Sequence, residues 1–282
     1  MAIKNEEFLA LIQKATAGDS QSLETILLGV QDLVFNLSLR MLGTFADAED
    51  ATQDILLKIM THLSSFKGKS AFSTWVFSIA LNHLKNYKKH RFAQYPLRFE
   101  YYGDDIRNGK AEEAPDLSQN VEKAILAEEL KMSCTNVLLQ CLDTDSRCIF
   151  VLGTMFKVDS RIAGEILGMT PEAYRQRLSR IRKKMSAFLE EYCGEYGRGT
   201  CKCASRLNYA IQNHRIDPAH LEYTAARAIP HKTILDVKQA MEEIDSLAQR
   251  FSFDKLYASP DQIARFIRDF LSSASLSAIT LS

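Results

Sequence analysis

Two groups of residues have the types and spacing to do chemistry. Three thiols, Cys193, Cys201 and Cys203, form a C-x7-C-x-C pattern in "CGEYGRGTCKC", with glycines between them. Thiolates this dense, wrapped by a glycine-bearing loop, supply most of a tetrahedral site for a soft metal ion such as zinc or copper. His214, Cys148 or His220 is available as a further ligand, and three reduced structural thiols are the competing reading. The second group is cationic. "MTPEAYRQRLSRIRKKM", residues 169–185, carries six basic residues between positions 175 and 184 of a chain whose formal net charge is +0. Such residues on one helix neutralise phosphate, and amides or hydroxyls among them read base edges. The Asp, His and Ser residues fall in segments explained as core, cap or DNA surface, so no catalytic constellation appears and the chain is not expected to be an enzyme.

The basic segment needs a helix to position it, and the sequence specifies its start: Thr170 as N-cap, Pro171 at the first helical position and Glu172 beside the N-terminal dipole. At about 100° per residue, Tyr174, Leu178, Ile181 and Met185 form one apolar stripe. Glu172, Gln176, Ser179, Arg180 and Lys183 share the opposite face, flanked by Arg175, Arg177, Arg182 and Lys184. Upstream, "DSRIAGEILGMT" gives a short helix over about 160–167 and a turn at Gly168. Helix, glycine turn and basic helix make a helix-turn-helix.

The rest of the chain reads as all-α. Of 282 residues, 46% are hydrophobic, enough for roughly two cores, while only 12 are Gly and 6 are Pro, and apolar residues recur at helical spacing. No signal-peptide pattern and no apolar run approaching 18 residues is evident, so a cytoplasmic protein without a membrane association and with reduced cysteines is expected. Charge is segregated. Residues 46–54 hold Asp47, Glu49, Asp50 and Asp54 and no base, whereas residues 58–91 hold seven lysines and arginines and no acid.

Residues 6–42 read as two helices separated by "AGDSQS", and 47–63 as a third with Ala48, Ala51, Ile55, Ile59 and Leu63 inward. A fourth helix runs over about 73–90, a linker follows to 120, and a second helical module over 121–190 ends in the basic helix. Cys134 and Cys141 are expected in its core as small hydrophobes. Beyond it a helix is predicted from Thr233 to about 251, and "SPDQ", with Ser259 as N-cap, opens another bearing Ile263, Phe266, Ile267 and Phe270.

Taken in order, "DAEDATQDILLKIMTHL", "FKGKSAFSTWVFSIALNHLKNYKK" and "LDTDSRCIFVLGTMFKVDSRIAGEILGMTPEAYRQRLSRIRKKM" resemble the polymerase-binding, promoter-melting and minus-35 segments of an extracytoplasmic-function sigma factor. The resemblance implies two helical sigma domains, at 6–92 (domain two) and 121–190 (domain four), joined by a 93–120 linker, with a cysteine-containing helical extension over 191–282. It implies a subunit that binds core RNA polymerase and directs promoter-specific initiation; a sigma-like protein that titrates partners without initiating is the alternative. Asp47, Glu49, Asp50, Gln53 and Asp54 are then expected on the clamp helices of the largest polymerase subunit, with the flap of the second subunit as a further contact. Asn82, Lys85, Asn86, Lys88 and Lys89 are expected on the minus-10 strand, with Tyr87 available for base stacking and Phe72 and Trp75 in the core. Thr170, Glu172, Arg175, Gln176, Arg177, Ser179, Arg180, Arg182 and Lys183 are expected on minus-35 DNA. An anti-sigma partner and metal sensing by the terminal cysteines are further implications. Tyr174 departs from the small or β-branched residue usual there, Glu172 adds an uncommon acid, and Arg161 replaces a common one.

Overall fold

The computed structural model describes residues 5–87, 97–109, 117–230 and 255–273, with the side chains of all of these but residues 5 and 6. The N-terminal module is built on α2 (Ser20–Leu42), flanked by α1 (Asn5–Thr16), α3 (Phe45–Thr61) and α4 (Phe72–Lys85). Asp19 starts α2 by accepting the Ser22 N–H at 3.2 Å. Gly43 ends it at φ 93, a left-handed conformation that favours glycine. Phe8, Phe66, Phe72 and Trp75 stack between α1 and α4, with ring centroids 4.7–5.6 Å apart. Phe72 and Trp75 are therefore packing residues, as expected from their helical spacing.

By length and hydropathy α2 could cross a membrane, against the expectation that no apolar run approaches 18 residues. Its apolar window is 72% buried inside the fold, so it serves as the core helix of this module.

The second module comprises α6 (Lys123–Gln140), α7 (Thr144–Phe150) with a π turn over Val151–Met155, α8 (Ser160–Leu167) and α9 (Pro171–Tyr192). It shares one hydrophobic core with the first. Phe77 of α4 meets Phe156 edge-on at 5.3 Å. Arg147, buried, donates to the carbonyls of Met41 (2.6 Å), Leu142 (2.9 Å) and Leu139 (3.0 Å). Arg40, also buried, donates to Asn136 Oδ1 at 2.7 Å. A buried guanidinium is tolerable where such acceptors replace its hydration.

Three expectations are corrected. The 93–120 segment is more than a linker: α5 (Phe99–Asn108) lies within it and buries Phe99 and Tyr102 against Phe188, because aromatic spacing outweighs the local Gly and Asp content. The fourth helix ends at Lys85, short of residue 90. Ser259 does not cap α11 (Asp261–Ser272), for which Pro260 holds the cap position, because its N–H and hydroxyl both donate to Asp32 Oδ1 at 2.8 Å. The helix predicted over 233–251 lies outside the described residues.

The extension begins after α9 with a loop in which Gly194 N donates to Cys201 O at 2.7 Å, then α10 (Leu207–Gln212). It is fastened to α5 at Asp105, whose carboxylate receives Tyr209 Oη at 2.6 Å and Arg215 Nη2 at 2.5 Å. Two short antiparallel strands, β1 (Ala228–Ile229) and β2 (Leu256–Tyr257), precede α11. They are the only ladder among the described residues, and the architecture is all-α.

Candidate nucleic-acid and polymerase interfaces

The helix-turn-helix forms as its caps dictate. Asp159 accepts the Arg161 N–H at 2.9 Å to start α8, Gly168 turns the chain at φ 66, and Thr170 Oγ1 accepts the Ala173 N–H at 3.2 Å to start α9. Tyr174, Leu178, Ile181 and Met185 are buried as their spacing requires. Tyr174 fits this large ring by donating its hydroxyl to Ile149 O at 3.1 Å, while Gly153 leaves room for it and for Leu178. Arg175, Gln176, Arg177, Ser179, Arg180 and Lys183 face outward, with Thr170 and Glu172 exposed at the helix start.

Two residues of this set are partly engaged. Arg175 bridges Ser160 Oγ and Glu172 Oε1, each at 2.9 Å, and the Glu172 carboxyl lies below its ordinary range owing to its backbone hydrogen bond and to Arg175. Arg182 is half-buried and donates to Thr154 Oγ1 at 3.1 Å and Gly153 O at 3.2 Å. Helical spacing put Arg182 on the flank, but only the fold brings the π turn beneath it.

On α4, Asn82 and Asn86 are exposed, and Asn86 Nδ2 donates to Asn82 O at 3.0 Å. Lys85 reaches Asp145 of the second module at 3.0 Å. Lys88 and Lys89 lie outside the described residues. Tyr87 is half-buried with its ring 5.6 Å from His83, and its hydroxyl pKa is raised by burial and by Asp50, Asp54 and Asp47. It therefore leans toward the acidic helix.

That helix, α3, exposes Asp50 and Asp54. Asp54 is 3.8 Å from His83, whose imidazole is pushed toward neutrality by burial and by Lys58. Asp47 belongs to the cap: its N–H donates to Thr44 Oγ1 at 3.2 Å and its carboxylate receives the Thr44 hydroxyl at 2.7 Å. Glu49 and Gln53 are half-buried on the adjoining face beside α11. Burial and Asp50 raise the Glu49 pKa, against the lowering charge of Arg265.

Cys193, Cys201 and Cys203 line one small apolar cavity together with Cys134 of α6. Burial pushes the Cys203 and Cys134 thiols up to about 12. Burial also raises Cys193, although the N–H groups of Glu195 and Tyr196 oppose the shift. Among the described residues no three His, Cys, Asp or Glu side chains stand ready to hold a metal ion. Cys134 was missed as a neighbour because its helical position reads as core. The suggested ligands Cys148, His214 and His220 do not line this cavity: Cys148 is fully buried in α7, His214 is exposed, and exposed His220 pairs with Asp217 at 3.1 Å.

An exposed basic helix within a helix-turn-helix, with an acidic helix on a second module, is an arrangement compatible with DNA binding and protein docking. Comparison with known proteins makes this specific. Residues 28–92 match the family described as Sigma-70 region 2. The chain is 30% identical over 146 residues to the RNA polymerase sigma factor CnrH of Cupriavidus metallidurans, covering 51% of this chain and 74% of CnrH. It is 23% identical over 188 residues to the RNA polymerase sigma-H factor of Pseudomonas aeruginosa, covering 67% and 96%, and 25% identical over 173 residues to the ECF RNA polymerase sigma-E factor of Escherichia coli K12, covering 61% and 89%. The solved structure of CnrH in complex with the cytosolic domain of CnrY matches at 22% identity and TM-score 0.45, over 64% of this chain and 95% of that one. The chain belongs to the sigma-70 family as an extracytoplasmic-function sigma factor, a subunit that directs promoter-specific initiation by core RNA polymerase.

Proposed function

We propose that α3 docks on the clamp helices of the largest polymerase subunit through Asp50 and Asp54, with Asp47, Glu49 and Gln53 at its margins, while the second module contacts the flap of the second subunit. The C-terminal end of α4 follows the melted minus-10 strand through Asn82, Asn86 and Lys85, joined by Lys88 and Lys89. The α9 face reads minus-35 DNA through Arg175, Gln176, Arg177, Ser179, Arg180 and Lys183. Arg182 holds α9 in place, and Thr170 with Glu172 sets the helix start. The observation that carries this reading is α9 itself, whose buried Tyr174, Leu178, Ile181 and Met185 leave the arginine face outward and free of core packing. Exposed guanidinium groups on a docked helix suit phosphate and guanine.

The bond-making chemistry belongs to the polymerase, and this subunit is not an enzyme. Its place of work is the cytoplasm, with the genome. An anti-sigma factor supplies a second level of control. The terminal cysteines form a regulatory site for zinc or copper, in which Cys134 completes the set of Cys193, Cys201 and Cys203. Their shared cavity supports this. Ion binding would have to draw the four sulfurs together. Titration of the reduced full-length chain with zinc should give one ion per chain, and the Cys193→Ser/Cys201→Ser/Cys203→Ser variant none; equal uptake by both would dismiss the metal.

DNA binding by α9 is tested by the salt dependence of promoter-fragment affinity. Replacing Arg180, exposed and outside the core, by Ala should lower the slope by about one unit. An unchanged slope would remove Arg180 from the DNA face.

A further inference from the structure

The extension returns to the N-terminal module and lies across α2, with one edge beside α3. Residues 255–259 cross α2 over a stripe made by Asp32, Asn36 and Arg40, spaced four apart. Arg40 donates to Lys255 O, Asn36 exchanges two hydrogen bonds with the Tyr257 backbone at 2.7 and 2.8 Å, and Asp32 accepts from Ser259. The helix thus pairs with an extended segment much as a neighbouring strand would. From there α11 buries Ile263 and Ile267, sets Arg268 3.2 Å from Glu24, and bounds an open groove with Gln53 of α3. Arg265, Phe266, Asp269 and Phe270 form the α11 wall of that groove.

The attachment combines polar and apolar contacts: the α2 stripe supplies hydrogen bonds, while Leu256, Tyr257, Ile263 and Ile267 are buried in the shared core. The attachment also places Arg265, on the groove wall shared with Gln53, close enough to act on Glu49, whose pKa is raised by burial and Asp50 against the charge of Arg265.

We infer that residues 255–272 are an intramolecular competitor for polymerase, docked on α2 and on the Glu49–Gln53 edge of α3, which core polymerase must displace. This rests on α3 being the polymerase-docking helix. A specific protein interface covers about 800 Å² on each partner, far more than the exposed Asp50 and Asp54 alone. A partner centred on those acids therefore meets α11 on the adjoining face. Binding is then reduced by the fraction of molecules in which α11 is docked.

The test compares full-length protein with Ile263→Asp/Ile267→Asp, which places two carboxylates in the apolar seat of α11 and leaves α3 untouched. Core-polymerase affinity should rise by at least about tenfold, the change expected when the docked form holds about nine-tenths of the population. Unchanged affinity, with hydrogen exchange showing α11 released and α2 still protected, overturns the inference. Should the variant fail to fold, the unaltered chain gives the answer by hydrogen exchange with and without core polymerase. Residues 255–272 should lose protection on binding, and retained protection overturns the inference. Asp50→Lys/Asp54→Lys separates the two readings: if it leaves core binding intact, the docking role of α3 fails. If it weakens binding while α11 release changes nothing, only the competitor fails.

Discussion

Arg180 and Arg182 are two residues apart on the same helix and do different things. Arg180 is exposed, and Arg182 holds the Thr154 hydroxyl and the Gly153 carbonyl. Arg182→Ala should cost about 1–2 kcal/mol in thermal or denaturant unfolding, because charge-assisted hydrogen bonds to part-buried acceptors are lost. Arg180→Ala should leave the melting curve within about 0.5 kcal/mol of the parent. Equal losses in both would contradict the division. Tyr174→Phe, which leaves Ile149 O without its donor, should destabilise by about 1 kcal/mol in the same measurement. Thr170, Gly168 and the apolar stripe were legible in the sequence because caps, positive-φ turns and helical periodicity are local. The position of Arg182 over the π turn was not, since that neighbour lies nearly thirty residues away.

At the scale of elements, α3 separates cap from surface. Asp50→Lys/Asp54→Lys should leave stability within about ±0.5 kcal/mol and weaken core-polymerase binding, chiefly through slower association that is sensitive to salt. Asp47→Lys should also cost about 0.5–1 kcal/mol of stability, because it removes an acid from the first helical turn and disturbs the Thr44 cap. The extension's clasp on α5 carries a pH dependence. Burial alone would raise the Asp105 pKa, but the hydrogen bonds from Arg215 and Tyr209 and the charges of Arg215 and Arg206 bring it below 3.8. A carboxyl depressed in the folded state stabilises fully above its unfolded value and loses that contribution as pH falls through the folded value. The clasp should therefore be intact at neutral pH and released in strong acid, and Asp105→Asn should flatten the acid limb of the stability curve. The identity of Asp105 offered no hint of this, since its partners Arg206 and Arg215 come from a different segment of the chain.

For the whole molecule, the two modules share a core through Phe77 and Phe156, Arg147 and Met41, and Arg40 and Asn136. The N-terminal helices and the helix-turn-helix were readable from helical spacing, but their packing on one another was not, because Arg40 and Arg147 satisfy their hydrogen bonds with carbonyls and amides that leave no pattern in the sequence.

Run-off transcription with purified core polymerase tests the account most directly. The full-length protein added to core should produce a transcript from a defined start on a promoter fragment. Arg175→Ala/Arg177→Ala/Arg180→Ala, folded to the parent's melting temperature, should lose at least nine-tenths of it. A triple variant that initiates as well as the parent, or a parent that leaves core polymerase silent on every genomic promoter fragment offered, would contradict the assignment of α9 as the promoter-reading helix of a sigma factor.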